Sequence, residues 1–195
     1  MAAYAVKRPA ARGPAPPGRR VTPGDRVPRT PCGDGRNVLG MHIRPIHQGD
    51  APRLAVLLEQ LGYPSTEKDV RHRLGYWLDD RASHLLGADD DGVLAGVAAL
   101  HVTPIIEVTG KFARLVAIVV DADSRHRGAG RALMAAAEQR ARAAGCLFME
   151  VTSDRERLPA HRFYESLGYT DTHESSRRFI RRLTPADPAR STTLD

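Results

Sequence analysis

Apolar positions first become periodic near residue 41. Met41-His42-Ile43-Arg44-Pro45 alternates like a short strand. Asp50 stands where a cap would open a helix over Ala51–Leu61, with Leu54, Leu57, Leu58 and Leu61 on one face and Gly62 as the stop. Ser65 or Thr66 opens a second helix carrying Val70, Leu74, Trp77 and Leu78. Residues 84–88 and 93–102 read as strands around Asp90-Asp91-Gly92, because Asp-Gly between apolar runs favours a hairpin turn. Lys111–Val120 is a further strand whose second half is apolar on both faces, the pattern of a central strand. A helix over 128–144 follows, its stripe formed by Leu133, Met134, Ala137, Ala141 and Ala144, with Gly145 as terminator. Residues 146–152 form another apolar strand, 160–167 a short helix ended by Gly168, and 177–183 a last strand.

This order predicts an α/β (α+β) architecture, a mixed sheet with helices on both faces, and no repeat is visible. Residues 1–40 contain seven Pro, six Gly and one aromatic, Tyr4. Such a segment cannot bury enough apolar surface to offset its ordering entropy, so a disordered tail is expected. It lacks the apolar stretch of a secretory signal. An alternative is that translation starts at Met41. The domain is therefore placed at 41–184, with a polar tail at 185–195.

Composition changes this picture in two ways. The net charge of +6 resides entirely in residues 1–40, which hold eight Lys/Arg and two acids; the remainder is balanced. A basic nucleic-acid-binding face is not demanded of the folded part, and nucleic acid enters only through the tail. No apolar run exceeds six residues, so no segment spans a membrane and no membrane partner is expected. Cys32 and Cys146 are too few for a disulfide framework or a four-cysteine zinc site, which leaves reduced thiols and a cytoplasmic setting. The eight histidines show no metal-ligand spacing with carboxylates, so no metal is expected.

The stretch with most chemical content is 115–134. A buried strand runs through Asp121-Ala122-Asp123-Ser124 into Arg125-His126-Arg127-Gly128-Ala129-Gly130-Arg131, which opens an amphipathic helix. The first turn of a helix has unpaired N–H groups and the positive end of the macrodipole. Gly128 and Gly130 remove side chains that would hold an anion away, and Arg125, Arg127 and Arg131 add charge. The result is a site for a diphosphate. It has neither the P-loop nor the dinucleotide glycine pattern.

Arg125-His126-Arg127-Gly128-Ala129-Gly130 resembles the Arg/Gln-x-x-Gly-x-Gly/Ala motif of the GCN5-related N-acetyltransferase (GNAT) superfamily. Residues 160–169, Ala-His-Arg-Phe-Tyr-Glu-Ser-Leu-Gly-Tyr, resemble its Ala-x-x-Phe-Tyr-x-x-x-Gly-Phe/Tyr signature at the expected distance. The resemblance covers residues 41–183 and implies a sheet of six to seven strands with about four helices. It also implies acetyl-CoA as co-substrate, lying between strands 113–120 and 146–152. Backbone groups of Val119 and Val120 are expected to pair with the pantetheine arm. The amides of Arg127, Gly128, Ala129, Gly130 and Arg131 are expected to hold the pyrophosphate, flanked by Arg125 and His126. Tyr164 matches the position whose hydroxyl approaches the CoA sulfur, where a phenol can protonate a departing thiolate as general acid.

The resemblance departs at the general base, because residues 114–118 lack the acid many members carry there. Glu107, His101 or a water relay are the alternatives, with Glu107 preferred. Residues 63–80 and 103–112 are expected to form the acceptor wall, with Asp69, Asp79, Asp80 and Glu107 near it and Tyr76 and Trp77 either lining it or packing. Ser153 and Asp154 serve the cleft or a turn, and Cys146 is a core residue. The acceptor is expected to be a small cationic amine such as an aminoglycoside or polyamine, in a bacterial small-molecule member. A catalytically idle acyl-CoA-binding module is the rival reading, and acetylation of an RNA-bound amine a third. A homodimer is common in the superfamily; nothing in this sequence marks an interface.

Overall fold

The computed structural model describes residues 41–174 and 179. The chain order is β1 (Met41–Pro45), a 3-10 turn (Gln48–Asp50), α1 (Ala51–Leu61), α2 (Glu67–Asp79), β2 (Ser83–Asp90), β3 (Val93–Pro104), β4 (Lys111–Val120), a second 3-10 turn (Ala122–Ser124), α3 (Ala129–Ala143), β5 (Cys146–Val151) and α4 (Leu158–Glu165). The strands form one mixed sheet in sequence order: β1 to β4 pair antiparallel, and β5 lies parallel to β4. Five strands and four helices thus lie among the described residues. The strand expected at 177–183 and the tails expected at 1–40 and 185–195 lie outside them, Phe179 apart.

Each face of the sheet has its own core. Leu86, Ala98, Leu100, Ala113 and Leu115 pack against Leu133, Met134 and Ala137 of α3. On the opposite face Leu94, Val97 and Val119 pack against Leu54 and Leu57 of α1 and Val70 and Leu74 of α2. The β2–β3 turn takes positive φ at both Asp91 (52°) and Gly92 (87°), the backbone an Asp-Gly hairpin requires. Thr66 caps α2 by accepting the Asp69 N–H at 3.2 Å.

Asp50 does not cap α1 in the way its position suggests. It has helical dihedrals (φ −79°, ψ −6°) and makes no side-chain cap bond to α1. Its carboxylate instead accepts the His47 N–H and two bonds from the Arg44 guanidinium at 2.8 and 2.9 Å. Arg44 also donates through Nε to Asp89 at 2.7 Å. Both carboxylates are buried. Burial opposes their ionisation, yet Arg44 and a backbone N–H, from His47 or Gly92, hold each below the ordinary carboxylate range.

A group whose folded pKa is depressed contributes stability above its unfolded pKa and loses it as pH falls through the folded one. Calorimetric Tm is therefore expected to hold near neutrality and fall below about pH 4, the ordinary Asp range. Asp89→Asn should show a shallower fall. An Asp89→Asn profile parallel to that of the unaltered protein would contradict this assignment.

Candidate active site

The site begins where two parallel strands separate. β5 pairs with β4 from Lys111↔Cys146 to Leu115↔Val151 and then stops. β4 continues five residues further, to Val120, paired only with β3. On the β5 side the backbone of residues 116–120, Val119 and Val120 included, has no strand partner among the described residues. A bulge lies at the mouth of this opening. Ala99 pairs with Ala117 and Leu100 with Leu115, so Val116 has no opposite residue. Val116 is 51% exposed, contrary to the fully buried strand that its apolar run suggests. Leu115 and Val119 of the same run are buried in the two cores, so Val116 alone of it lines the groove.

The connection from β4 to α3 is held in place from α1. Arg53 pairs with the buried Asp121 through Nη2 and donates through Nε to the Leu94 carbonyl at 3.0 Å. Gln60 bridges the same turn, donating to Asp121 at 3.3 Å and accepting the Ala122 N–H at 2.9 Å. The Asp121 carboxyl sits below its ordinary range, first because it accepts the Asp123 N–H and, against the opposing effect of burial, because of Arg53 and Gln60.

Beyond this clamp the backbone turns sharply. His126 has φ 62°, a left-handed conformation that is uncommon for a residue other than glycine. Gly128, φ 87°, precedes α3, and a Cβ there would project into open space. A Cβ at Gly130 would meet the Phe163 ring at 3.3 Å, so this glycine lets α4 close against the start of α3. The first intrahelical bond runs from the Ala132 N–H to the Gly128 carbonyl at 3.0 Å, which leaves the amides before Ala132 for an external acceptor.

The first turn of α3 contains no acid, and Arg131 sits in it. A cation there is unfavourable to the macrodipole by itself and favourable only toward an anion. Arg127 is tied to Asp90 at 2.7 Å, so its charge is matched within the chain. Arg131 donates to Ser166 Oγ at 3.1 Å, and Arg125 reaches the Val120 carbonyl at 3.5 Å; neither has a carboxylate partner among the described residues.

Tyr164 lies on α4 with its ring against Phe163 and Tyr169, at centroid distances of 5.6 and 6.0 Å. Burial raises its pKa, partly opposed by Arg157, so the phenol stays protonated at neutral pH. Tyr169 finds a partner, donating to Glu138 at 3.3 Å. Asp154 serves a turn: it accepts the Glu156 N–H at 2.9 Å, and its carbonyl meets His161. Ser153 stands half-buried just before it. Cys146 is half-buried with its thiol pushed up by burial, which suits a packing role.

On the α1/α2 face a groove of about 490 Å³ opens beside Val116. The end of α2 supplies Tyr76, Trp77 and Asp80, β2 supplies Ser83, β3 supplies His101 and Thr103, and β4 supplies Phe112 and Arg114. Asp79 lines an adjoining hollow that shares Tyr76 and Asp80. Asp69 is at the other end of α2, beside its cap. Glu107 is exposed in the loop between β3 and β4 and does not line the groove. Sequence reasoning missed the Arg53–Asp121–Gln60 clamp and the contact of Asp80 with Ser83 and His101; only Asp80-x-x-Ser83, a side-chain-bonded turn, was a local signal.

An unpaired strand edge, a glycine cradle and two unmatched guanidinia suit a ligand that carries both amide groups and a diphosphate. Residues 52–169 match the acetyltransferase (GNAT) family. The chain belongs to that family. Among curated proteins none matches this GNAT chain. Its fold is similar to a transcriptional regulator from Bacillus halodurans C-125 (TM-score 0.66, 22% identity, covering 72% of this chain and 99% of that one). It is also similar to aminoglycoside N-acetyltransferase AAC(6')-Iy in complex with CoA (0.65, 22%, 74% and 95%). A third is the ribosomal-protein-alanine N-acetyltransferase from Brucella melitensis biovar Abortus 2308 (0.61, 21%, 74% and 99%). At these identities the likeness concerns the fold. No helix among the described residues is long and apolar enough to cross a membrane.

Proposed function

We propose that this GNAT acetyltransferase moves the acetyl group of acetyl-CoA to the primary amine of a small cationic acceptor. The observation that carries the reading is adjacency: the groove beneath the end of α2 adjoins Val116, where β5 leaves β4. In this reading the amides of residues 127–131, with Arg125 and Arg131, hold the diphosphate of the co-substrate. The backbone of Val119 and Val120 pairs with its amide-bearing arm. Acetyl-CoA supplies the activated acyl group when bound.

The acceptor class follows from the groove's charge. Asp79 and Asp80 stand at the C-terminal, negative end of α2, and Tyr76, Trp77 and Phe112 present aromatic surface. The one guanidinium in the lining, Arg114, is already paired with Glu150. A cation is favoured there over an anion. The Tyr164 hydroxyl supplies the proton taken up by the departing thiolate.

Two measurements test this. Acetyl-CoA, and not NAD, is expected to raise Tm; a ligand at about 100 times its Kd adds about 2.7 kcal/mol. CoA thiol release is expected with at least one member of a panel containing spermidine, kanamycin and simple diamines. Binding without release across the panel would overturn amine transfer and leave an idle acyl-CoA-binding module.

A further inference from the structure

We propose that His101 is the catalytic base that frees the acceptor's amine, positioned through Ser83 by Asp80. The proposal rests on the reading of the groove as the amine site.

The β2–β3–β4 register sets Ser83, His101 and Arg114 side by side across the sheet, on the face beneath the end of α2. Asp80, just after α2, accepts the Ala82 N–H at 3.0 Å through Oδ1 and the Ser83 hydroxyl at 2.7 Å through Oδ2. Ser83 Oγ lies 3.0 Å from His101 Nδ1. A serine has one hydroxyl hydrogen, and an ionised carboxylate can only accept. That hydrogen is therefore committed to Asp80, and Nδ1 must be the donor to Ser83. The imidazole is fixed as the Nδ1–H tautomer, with the lone pair on Nε2. Among the described residues Nε2 has no partner, and His101 lines the groove with Thr103, Phe112 and Val116.

The order of groups excludes another reading. In a nucleophilic triad the histidine separates serine from carboxylate. Here the serine separates histidine from carboxylate, so its hydroxyl is a spacer and Nε2 is the reactive end. The Ser83 and Ala82 donors hold the Asp80 carboxyl below its ordinary range, so it is anionic at neutral pH. Its Oδ2 stands 3.5 Å from Nδ1. The other groups facing His101 are Arg114 on β4, matched by Glu150 of β5, and Tyr76 on α2; His84 of β2, opposite Leu100, acts on it only through charge.

The proton balance is simple. His101 Nε2 takes one proton from the ammonium and returns it to solvent. The freed nitrogen forms the C–N bond at the thioester carbonyl as the C–S bond breaks. Tyr164 gives its proton to the sulfur, and the second proton shed by the nitrogen restores the phenol. One proton is released per turnover.

The test follows kcat/KM of the full chain against pH, with spermidine and kanamycin as acceptors. The parent protein is compared with His101→Asn, Ser83→Ala and Asp80→Asn, and an acetyl-CoA thermal shift is measured for each. His101→Asn is expected to lose about a hundredfold at neutral pH. That loss should shrink as pH nears the amine's own pKa, and added imidazole should restore part of the rate. Ser83→Ala leaves the imidazole in place; it is expected to move the acidic limb of the profile, which a purely structural role would not do. Should His101→Asn fail to fold, the Ser83→Ala limb decides. Superimposable profiles for all the variants would overturn the role of His101 and leave amine transfer standing. A parent protein that binds acetyl-CoA but acetylates no member of the amine panel would overturn the amine reading and this proposal with it.

Discussion

Replacing Tyr164 with phenylalanine is expected to lower kcat a few hundredfold while leaving the affinity for CoA unchanged. The exchange removes one hydroxyl and keeps the ring, so the packing against Phe163 and Tyr169 survives. The hydroxyl has no hydrogen-bond partner among the described residues, so no buried group is left unsatisfied by its loss. What disappears is a proton source. Burial keeps this phenol protonated well into the alkaline range, which suits it to donate to a thiolate and not to serve as the base that frees the ammonium. General acid catalysis by a positioned side chain is worth about 10²–10⁴ in rate. Steady-state kinetics and calorimetric CoA titration separate the two quantities. An unchanged kcat would remove Tyr164 from the chemistry.

Arg53→Leu is expected to destabilise the fold by about 3 kcal/mol, the loss typical of an abandoned buried charge. Asp121 is 4% exposed and would keep the Asp123 N–H and Gln60, but no cation. For a domain of this size, 1 kcal/mol is about 2–4 °C in Tm, so the drop is about 6–12 °C. The Arg53→Leu/Asp121→Asn double variant should recover much of it, since the uncompensated charge is then gone. Acetyl-CoA should bind less tightly to the single variant, because Asp121 anchors the turn that leads to Gly128. A drop of no more than a degree would show that the clamp contributes little.

What could be read in advance was local in sequence. The glycine turn into α3 is legible because strand, turn glycines and helix stripe are contiguous from residue 115 to 134. The helix that carries Tyr164 was legible because its signature spans ten residues. The groove was not, and the reason is register. An Asp-Gly turn with ideal pairing would set Ser83 opposite Leu100. The irregularity between Ala88 and Asp89 slips the strands by one residue and sets Ser83 opposite His101. A one-residue slip moves every side chain to the other face. Nothing in the composition of residues 84–102 announces it. The second irregularity, at Ala99/Leu100, likewise turned Val116 from an expected core residue into lining. Asp50 shows the same limit: its position was right for a cap, but Arg44, six residues away, claims its carboxylate.

The way the strands follow one another sets an order of assembly. β2, β3 and β4 follow one another closely in the chain, so their pairings close short loops, whereas β1 reaches β2 only across α1 and α2. The parallel partner of β4 must wait for the whole α3 crossover, and loop-closure entropy must be met before non-local contacts compensate it. The β4–β5 pairing, like that of β1 with β2, is non-local and has only five paired positions, so both edges of the sheet form after the β2–β3–β4 meander and fray before it. A chain paired only through β2, β3 and β4 already sets Ser83 opposite His101 while the opening between β4 and β5 is still unmade.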